Sequence, residues 1–447
     1  LGRVVRASLA AWLWTLPLVA YFFAEVQAAA VIGNLLVTPV AELCVVPVGL
    51  VTALLAVVCP PLAWASAALA VQAVDLMLWL AGVIASWRLC GPLAAPCLLV
   101  VALWYAGLSA GLRHRLWGTL LLLISAALHV ALWCVPSDRL RVTFLDVGQG
   151  DAVVIELPRG GVIVVDAGMG PTLAQTRGWG PVGSAPADLG RTVLLPFLHY
   201  RGHRRIDLLI ASHRHPDHIG GMATLLRQMD VDVLWLTRQP PTQSQGRDAP
   251  ALVAAEQGLI DLAHRRGTLV SVPHTRSLQG VLLTVLGPRA VLQPGMMVAD
   301  AGRDRAAARP GWPENDNSLV LRLQYAGRTV LLTGDIEGRA ERALLRQYPP
   351  AALAADVMKV AHHGSRTSSS DAWLDGVRPR WAICSLGLHN RFGFPHATVL
   401  GRYAERQIPF LRTDLLGAVA VTIDRAGGLR VSTQAKALPW AAWLPDR

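Results

Sequence analysis

Lysine is nearly missing from this sequence: of 41 basic residues only Lys359 and Lys436 are not arginine. Charge of either sign is scarce before residue 135, where the basic residues are Arg3, Arg6, Arg88, Arg113 and Arg115 and the acidic ones Glu25, Glu42 and Asp75. That scarcity excludes a water-solvated domain, and the stretch reads as bilayer-embedded. Cysteine is scarce afterwards: Cys44, Cys59, Cys90, Cys97 and Cys134 come first, leaving Cys384 alone in the remainder. A disulfide framework is excluded there, and Cys384 in "RWAICSL" reads as core packing. No signal peptide with a small-residue cleavage site stands out. The first residue is Leu1 rather than Met, as expected of a fragment or a processed chain. At 447 residues two domains are expected, 1–137 apolar and 138–447 soluble and moderately basic.

Spanning hydrocarbon takes about 20 apolar residues as helix. Residues 7–24, 62–86, 93–112 and 116–134 qualify. Residues 28–59 offer one span plus a re-entrant or interfacial piece, with Pro39 and Pro47 arguing against one straight helix. The expectation is a polytopic α-helical segment of five spans. Arg3, Arg6, Arg113 and Arg115, held in the cytoplasm, place the soluble domain outside after five crossings, although Arg88 opposes this. Asn34, Glu42, Gln72 and Asp75 are costly inside a bilayer and suggest either a polar conduit or interfacial positions on tilted helices.

After "CVPSDR" the pattern changes to short β-type runs and turns. "LRVTFLDVGQGD" is a strand entering a Gly-rich turn, "AVVIELP" and "GVIVVDAG" pair as a hairpin, and "RIDLLIAS" delivers a histidine cluster. "SLVLRLQYAGRTVLLTGD", "DVMKVAHHGS" and "RWAICSL" follow as strands, with the helix "GRAERALLRQY" among them. Strands alternating with helices, polar residues at the strand ends, predict an α/β sandwich with its site along one rim. Residues 169–190 and 290–313 read as surface loops.

The strongest signal is "SHRHPDHIGG", which packs His213, His215, Asp217 and His218 into six positions. Imidazole and carboxylate suit zinc, manganese or iron. Asp335 ends "LLTGD" and His362 and His363 end "KVAHH", and strand-end residues of these types suit a rim-facing site with two metal ions. Such a site activates water and clamps phosphodiester oxygens, so no protein nucleophile is required. Asp217 could orient the attacking water. Lys359 either contacts a phosphate or points away by strand alternation. Gln149 and Asp151 sit on a turn beside Asp166, where they could line a substrate groove. Trp235, Trp312 and Trp373 could stack on bases but are more commonly packed.

These motifs resemble a known family. The soluble half is similar to metallo-β-lactamase αββα sandwiches. "FLDVGQGDA", "DAG", "SHRHPDHIGG", "NDNSLVL", "LLTGD" and "KVAHHGS", after a membrane region containing "NLLVTPVAELCVVPVGL", resemble the ComEC family of bacterial DNA-uptake channels. A soluble amino-terminal region expected of that family is not in this stretch. The resemblance implies His213 and His215 as ligands of one metal and Asp217 and His218 of the other. It makes Asp335 the bridging carboxylate, one of His362 and His363 the last ligand, and Asp166 a supporting residue. Where many of these hydrolases carry a third-motif histidine this chain has "NDNS", with Asn315 and Asn317, so manganese or magnesium is as credible as zinc. The family's "HP" near the C-terminus is "NRFGFPH" here.

The resemblance further implies a multi-pass protein of the bacterial cytoplasmic membrane that passes one DNA strand. Its soluble domain would be a metal-dependent nuclease, its partners DNA, lipid, other uptake proteins and a second copy of itself. Two other readings fit the same residues. One is a membrane-tethered hydrolase of a small ester or lactone. The other is a transport protein whose metal site is structural or degenerate.

Overall fold

The computed structural model describes residues 2–87, 90–93, 95–134, 137–170, 188–237, 249–288, 309 and 311–434. Most of the two expected surface loops, 169–190 and 290–313, lies outside the described residues, as does Arg88. The chain divides into two compact units, the first holding residues 1–135 with 199–202, the second 136–198 with 203–447.

In the first unit four helices are long and apolar enough to cross a membrane: Val5–Phe23, Ala29–Val58, Pro60–Ser86 and Arg115–Leu132. Ala29–Val58 differs from the expectation of a broken segment. It runs continuously for 30 residues because a π-helical turn, Ala41–Val45, takes up the irregularity between Pro39 and Pro47. The expected fourth span, 93–112, is instead the 14-residue helix Leu98–Gly111, which at about 1.5 Å per residue is shorter than the hydrocarbon layer. It packs on Arg115–Cys134 through small residues: a Cβ at Gly118 would stand 2.4 Å from the Gly111 Cα. Asn34, Glu42, Gln72 and Asp75 are all exposed and line no interior of this unit.

The second unit is two sheets face to face. The first has eight strands in the order 269–271, 233–235, 208–210, 162–165, 153–156, 140–144, 419–423, 429–433. The second has seven, in the order 276–278, 281–287, 320–325, 328–332, 357–359, 381–384, 410–412. Strand alternation builds both faces at once. Val153 and Ile155 join the core between the sheets, whereas Val154 packs beneath the helices Met222–Gln228 and Ala249–Arg265. Val357 and Ile383 face the same inter-sheet core. Met358, Ala382 and Cys384 pack beneath Gly338–Gln347, Asp371–Val377 and Ala397–Glu405. The result is a helix–sheet–sheet–helix sandwich.

Register then fixes the rim. Phe144 pairs with Val153, Val153 with Val165, and Val165 with Ile210, so the segments following residues 144, 165 and 210 leave the first sheet at one edge. In the second sheet the parallel strands 328–332, 357–359 and 381–384 end together. Leu319 N donates to Ser212 O at 2.8 Å, joining the two sheets along this rim. The turn "VGQGD" passes so close to Asp217 that a Cβ on Gly150, at φ +118°, would lie 2.1 Å from the Asp217 carbonyl oxygen. Gly150→Ala should therefore lower the thermal midpoint of the full chain by roughly 5 °C. An unchanged melting curve would show that the turn is not tightly held.

Candidate metal centre

Four buried side chains converge at the rim. Ligand-type atoms of Asp151, His218, Asp335 and His363 lie within 4.8 Å of one another. Asp151 comes from the turn after 140–144, His218 from the segment after 208–210, Asp335 from the end of 328–332, and His363 from the turn after 357–359. The Nε2 atoms of His218 and His363 each stand 3.3 Å from Asp335 Oδ2. Neither Nε2 makes a hydrogen bond, although both are buried.

The opposite ring nitrogens explain that aim. His218 Nδ1 donates to Asp166 Oδ2 at 2.9 Å, and His363 Nδ1 donates to the Ser385 carbonyl at 2.7 Å. With Nδ1 protonated, each ring directs Nε2 at the centre, as metal-binding histidines do. Asp166 also accepts from Ser212 N at 2.8 Å and Ser212 Oγ at 2.7 Å, which fixes the start of the histidine segment. Asp166, His362 and His363 all adopt left-handed backbone (φ 60°, 46° and 52°), a costly conformation for non-glycine residues that the surrounding contacts maintain.

Lys359 is fully enclosed. Its Nζ donates to Gly334 O at 2.8 Å, lies 3.2 Å from Asp335 Oδ1, and pairs directly with Asp151 Oδ2. Burial alone would lower its pKa, but Asp151 and Asp335 push it above the ordinary lysine range. The ammonium is thus a fixed internal cation and not a free phosphate contact. Asp335 is set by the same balance: burial would raise it, yet His363, His218 and Lys359 hold it well below the usual carboxylate range. His218 and His363 stand above their ordinary 6.5, because Asp335 first, then Asp166 for His218 and Asp151 for His363, outweigh the effect of burial.

The other sequence candidates lie around this core. Asp217 Oδ2 is 3.9 Å from His363 Nε2 and 4.0 Å from His218 Nε2, with its side chain 24% exposed. His213 and His215 contact each other, Nε2 to Nδ1 at 3.0 Å, and the His213 ring lies 4.1 Å from that of His218. Burial lowers both, so they are neutral in a chain of hydrogen bonds passing through Ser212 Oγ to Asp166. His362 turns away to Glu337, Nδ1 to Oε1 at 2.9 Å, with the Asn315 amide donating to the same Glu337 oxygen at 3.3 Å. Asn317 holds its own loop, accepting from Arg309 N at 2.7 Å. Gln149 stays on the neighbouring turn with its buried Oε1 free of hydrogen bonds. Trp235 and Trp373 are fully buried, and Trp312 packs under Arg309 and Arg339. His396 caps the helix Ala397–Glu405 by accepting from Thr398 N at 3.2 Å.

Sequence reasoning did not find Arg214. It is 2% exposed, and it donates twice to Glu314 at 3.0 Å and once to Glu256 at 3.4 Å, clamping the histidine segment from behind. Its signal was an arginine between two candidate ligands, a position where a solvated side chain is not expected.

With the geometry in place, the comparisons with known proteins agree. Residues 1–118 match the family model for competence protein, and residues 145–291 that for the metallo-β-lactamase superfamily. The chain joins a competence-protein domain to a metallo-β-lactamase domain. It is a homologue of ComEC-family proteins. It is 32% identical over 289 residues to ComE operon protein 3 of Bacillus subtilis, covering 64% of this chain and 33% of that protein. It is 29% identical over 426 residues to competence protein ComA of Neisseria gonorrhoeae, covering 95% and 52%. Recombination protein 2 of Haemophilus influenzae is 28% identical over 303 residues, covering 68% and 31%. The chain thus spans about a third to a half of the curated relatives it matches. A buried His/Asp cluster on a metallo-β-lactamase fold suits a divalent cation.

Two outcomes follow. His363→Ala should strip bound metal from the purified chain and Asp166→Ala should weaken metal affinity roughly 10- to 100-fold. His362→Ala should leave metal content intact by elemental analysis. Equal losses from His362 and His363 would refute the division of labour. Affinity should also depend on pH. The proton-linked stability of His218 and His363 belongs to the metal-free form, is complete below about 6.5 and is lost as pH rises through their raised values. Were these imidazoles to bind metal in their neutral form, chelator competition should show binding tightening as pH rises from 6.5 toward their raised values, by up to roughly ten-fold per pH unit for each proton lost. A flat profile would mean these imidazoles are not ligands.

Proposed function

We propose that this chain serves DNA internalisation across the bacterial cytoplasmic membrane. Its soluble unit hydrolyses phosphodiester bonds of DNA with the help of divalent metal. The observation that carries the hydrolase reading is the pair of buried imidazole nitrogens, His218 Nε2 and His363 Nε2, aimed without hydrogen-bond partners at the Asp335 carboxylate. The donor set fits zinc or manganese, with His218, His363, Asp335 and Asp151 as ligands and His213, His215 and Asp217 available at the margin. Bound metal supplies Lewis acidity toward a phosphoryl oxygen and toward the attacking water.

The chain's own groups do the rest. Asp166 and the Ser385 carbonyl hold the two imidazoles in one tautomer. Lys359 keeps Asp151 and Asp335 from repelling each other. Asp217, the solvent-reaching carboxylate of the site, orients the water and takes its proton. The net charge of +11 favours a polyanionic substrate. In the apolar unit, the exposed Asn34, Glu42, Gln72 and Asp75 support a conduit whose remaining walls come from further helices, of a longer chain or a second copy. Passage of a single strand, an extracytoplasmic hydrolase and association with other uptake proteins belong to the same proposal.

The test is hydrolysis of single-stranded DNA by the full chain in detergent with manganese or zinc. Asp335→Asn should cost about 10²–10³-fold in rate, and a chelator should abolish cleavage. Turnover of small esters or lactones with DNA left intact would replace this reading by that of a tethered esterase.

A further inference from the structure

Beside the metal centre an aromatic path leads from solvent inward. Phe392 is 50% exposed on the loop 388–395. Its ring stacks on Phe394, centroids 5.5 Å apart and planes 20° from parallel. Phe394 meets the His362 ring edge-on at 5.6 Å, His362 lies 6.2 Å from His363, and His363 lies 5.5 Å from His218. Four successive ring contacts thus connect an exposed phenylalanine face to the buried cluster. The Arg391 guanidinium sits 5.0 Å from the Phe392 ring centroid.

The loop is held in shape. Asn390 donates to Gly387 O at 3.0 Å and Phe394 O at 2.8 Å, and accepts from Phe394 N at 2.9 Å. It is also seated on the histidine turn: His396 N donates to Gly364 O at 2.9 Å, and a Cβ on Gly364 would stand 2.6 Å from Pro395 Cβ. Phe392 keeps half its surface in water even with Phe394 stacked on it and Arg391 over the ring, an exposure on a pinned loop that packing does not explain. An aliphatic partner would call for a broad apolar patch; Leu388 is exposed on the same loop, but the exposed His389 and Arg391 interrupt the apolar surface around the ring. A flat π-system carrying negative charge answers both the ring and the guanidinium.

We propose that loop 388–395 is a nucleobase-stacking subsite, in which Phe392 takes an unpaired base of the strand whose phosphodiester lies at the His218–Asp335–His363 cluster. This deepens the hydrolase reading and rests on it. The subsite selects single strands, because a paired base offers no free face to an exposed ring, and it is indifferent to sequence, because every base does. Phe394, edge-on to His362, seats the subsite against the histidine turn and so sets the strand's direction relative to the cluster.

Binding is measured by fluorescence anisotropy on the full chain with chelator present to stop turnover. The probes are an oligothymidylate and an abasic deoxyribose-phosphate oligomer of equal length. The wild type should bind the oligothymidylate roughly 5- to 150-fold more tightly. Phe392→Ala should bring that ratio close to one, and Phe392→Trp should preserve it. Equal binding of both probes by the wild type, or a ratio indifferent to Phe392→Ala, would overturn the subsite and hand the exposed ring to another surface, such as lipid. Manganese-dependent cleavage of the same oligothymidylate is scored separately. Its absence with the ratio intact sinks the hydrolase reading alone.

Discussion

One carboxylate organises the rim. Asp335 lies between imidazoles from different sheets, His218 from the first and His363 from the second, and beside the ammonium of Lys359. Lys359 in turn pairs with Asp151 of the first sheet. Every one of these groups is at least nine-tenths buried, where an uncompensated charge costs several kcal/mol. The two sheets can therefore close only in the arrangement that brings all of these groups together. The apolar core between them fixes how far apart the sheets lie; the charges fix their register along the rim.

This dependence separates what was legible in the sequence from what was not. The central strands were legible because most of their residues are buried on both faces and their boundaries fall at glycine and aspartate, as in "VIVVDAG" and "VLLTGD". The histidine segment was legible because four ligand-type residues within six positions have no ordinary packing explanation. The preference between His362 and His363 was not, since it turns on two successive left-handed residues that reverse the chain between them. Asp151 looked like a groove residue, and Lys359 like either a phosphate contact or a side chain pointing away. Their partnership joins positions some two hundred residues apart, which no local pattern encodes. In the apolar half, proline positions correctly marked an irregularity at residues 39–47. Sequence could not say that one π turn would absorb it and leave the helix whole.

Asn315 shows how a departure from a family pattern is accommodated. It stands in the segment where a further imidazole ligand was expected, and its amide is spent on Glu337, which also holds His362. The polar triad of Asn315, Glu337 and His362 sits just outside the buried cluster, and Glu337 is held below its ordinary range mainly by His362, then by Asn315. The third-motif position thus serves to fix the histidine that borders the centre and carries the aromatic stack.

Charge balance ties the protonated and metal-holding states together. In the metal-free site three buried carboxylates, Asp151, Asp166 and Asp335, face three cations: Lys359 and the imidazoliums of His218 and His363. Were His218 and His363 to hold a divalent ion, as proposed, each giving up one proton, the total would be unchanged. The lysine cannot be exchanged in this way, because Gly334 O and both carboxylates hold it in place. The fully buried groups would thus balance with or without the ion, leaving the partly exposed Asp217 carboxylate at the margin.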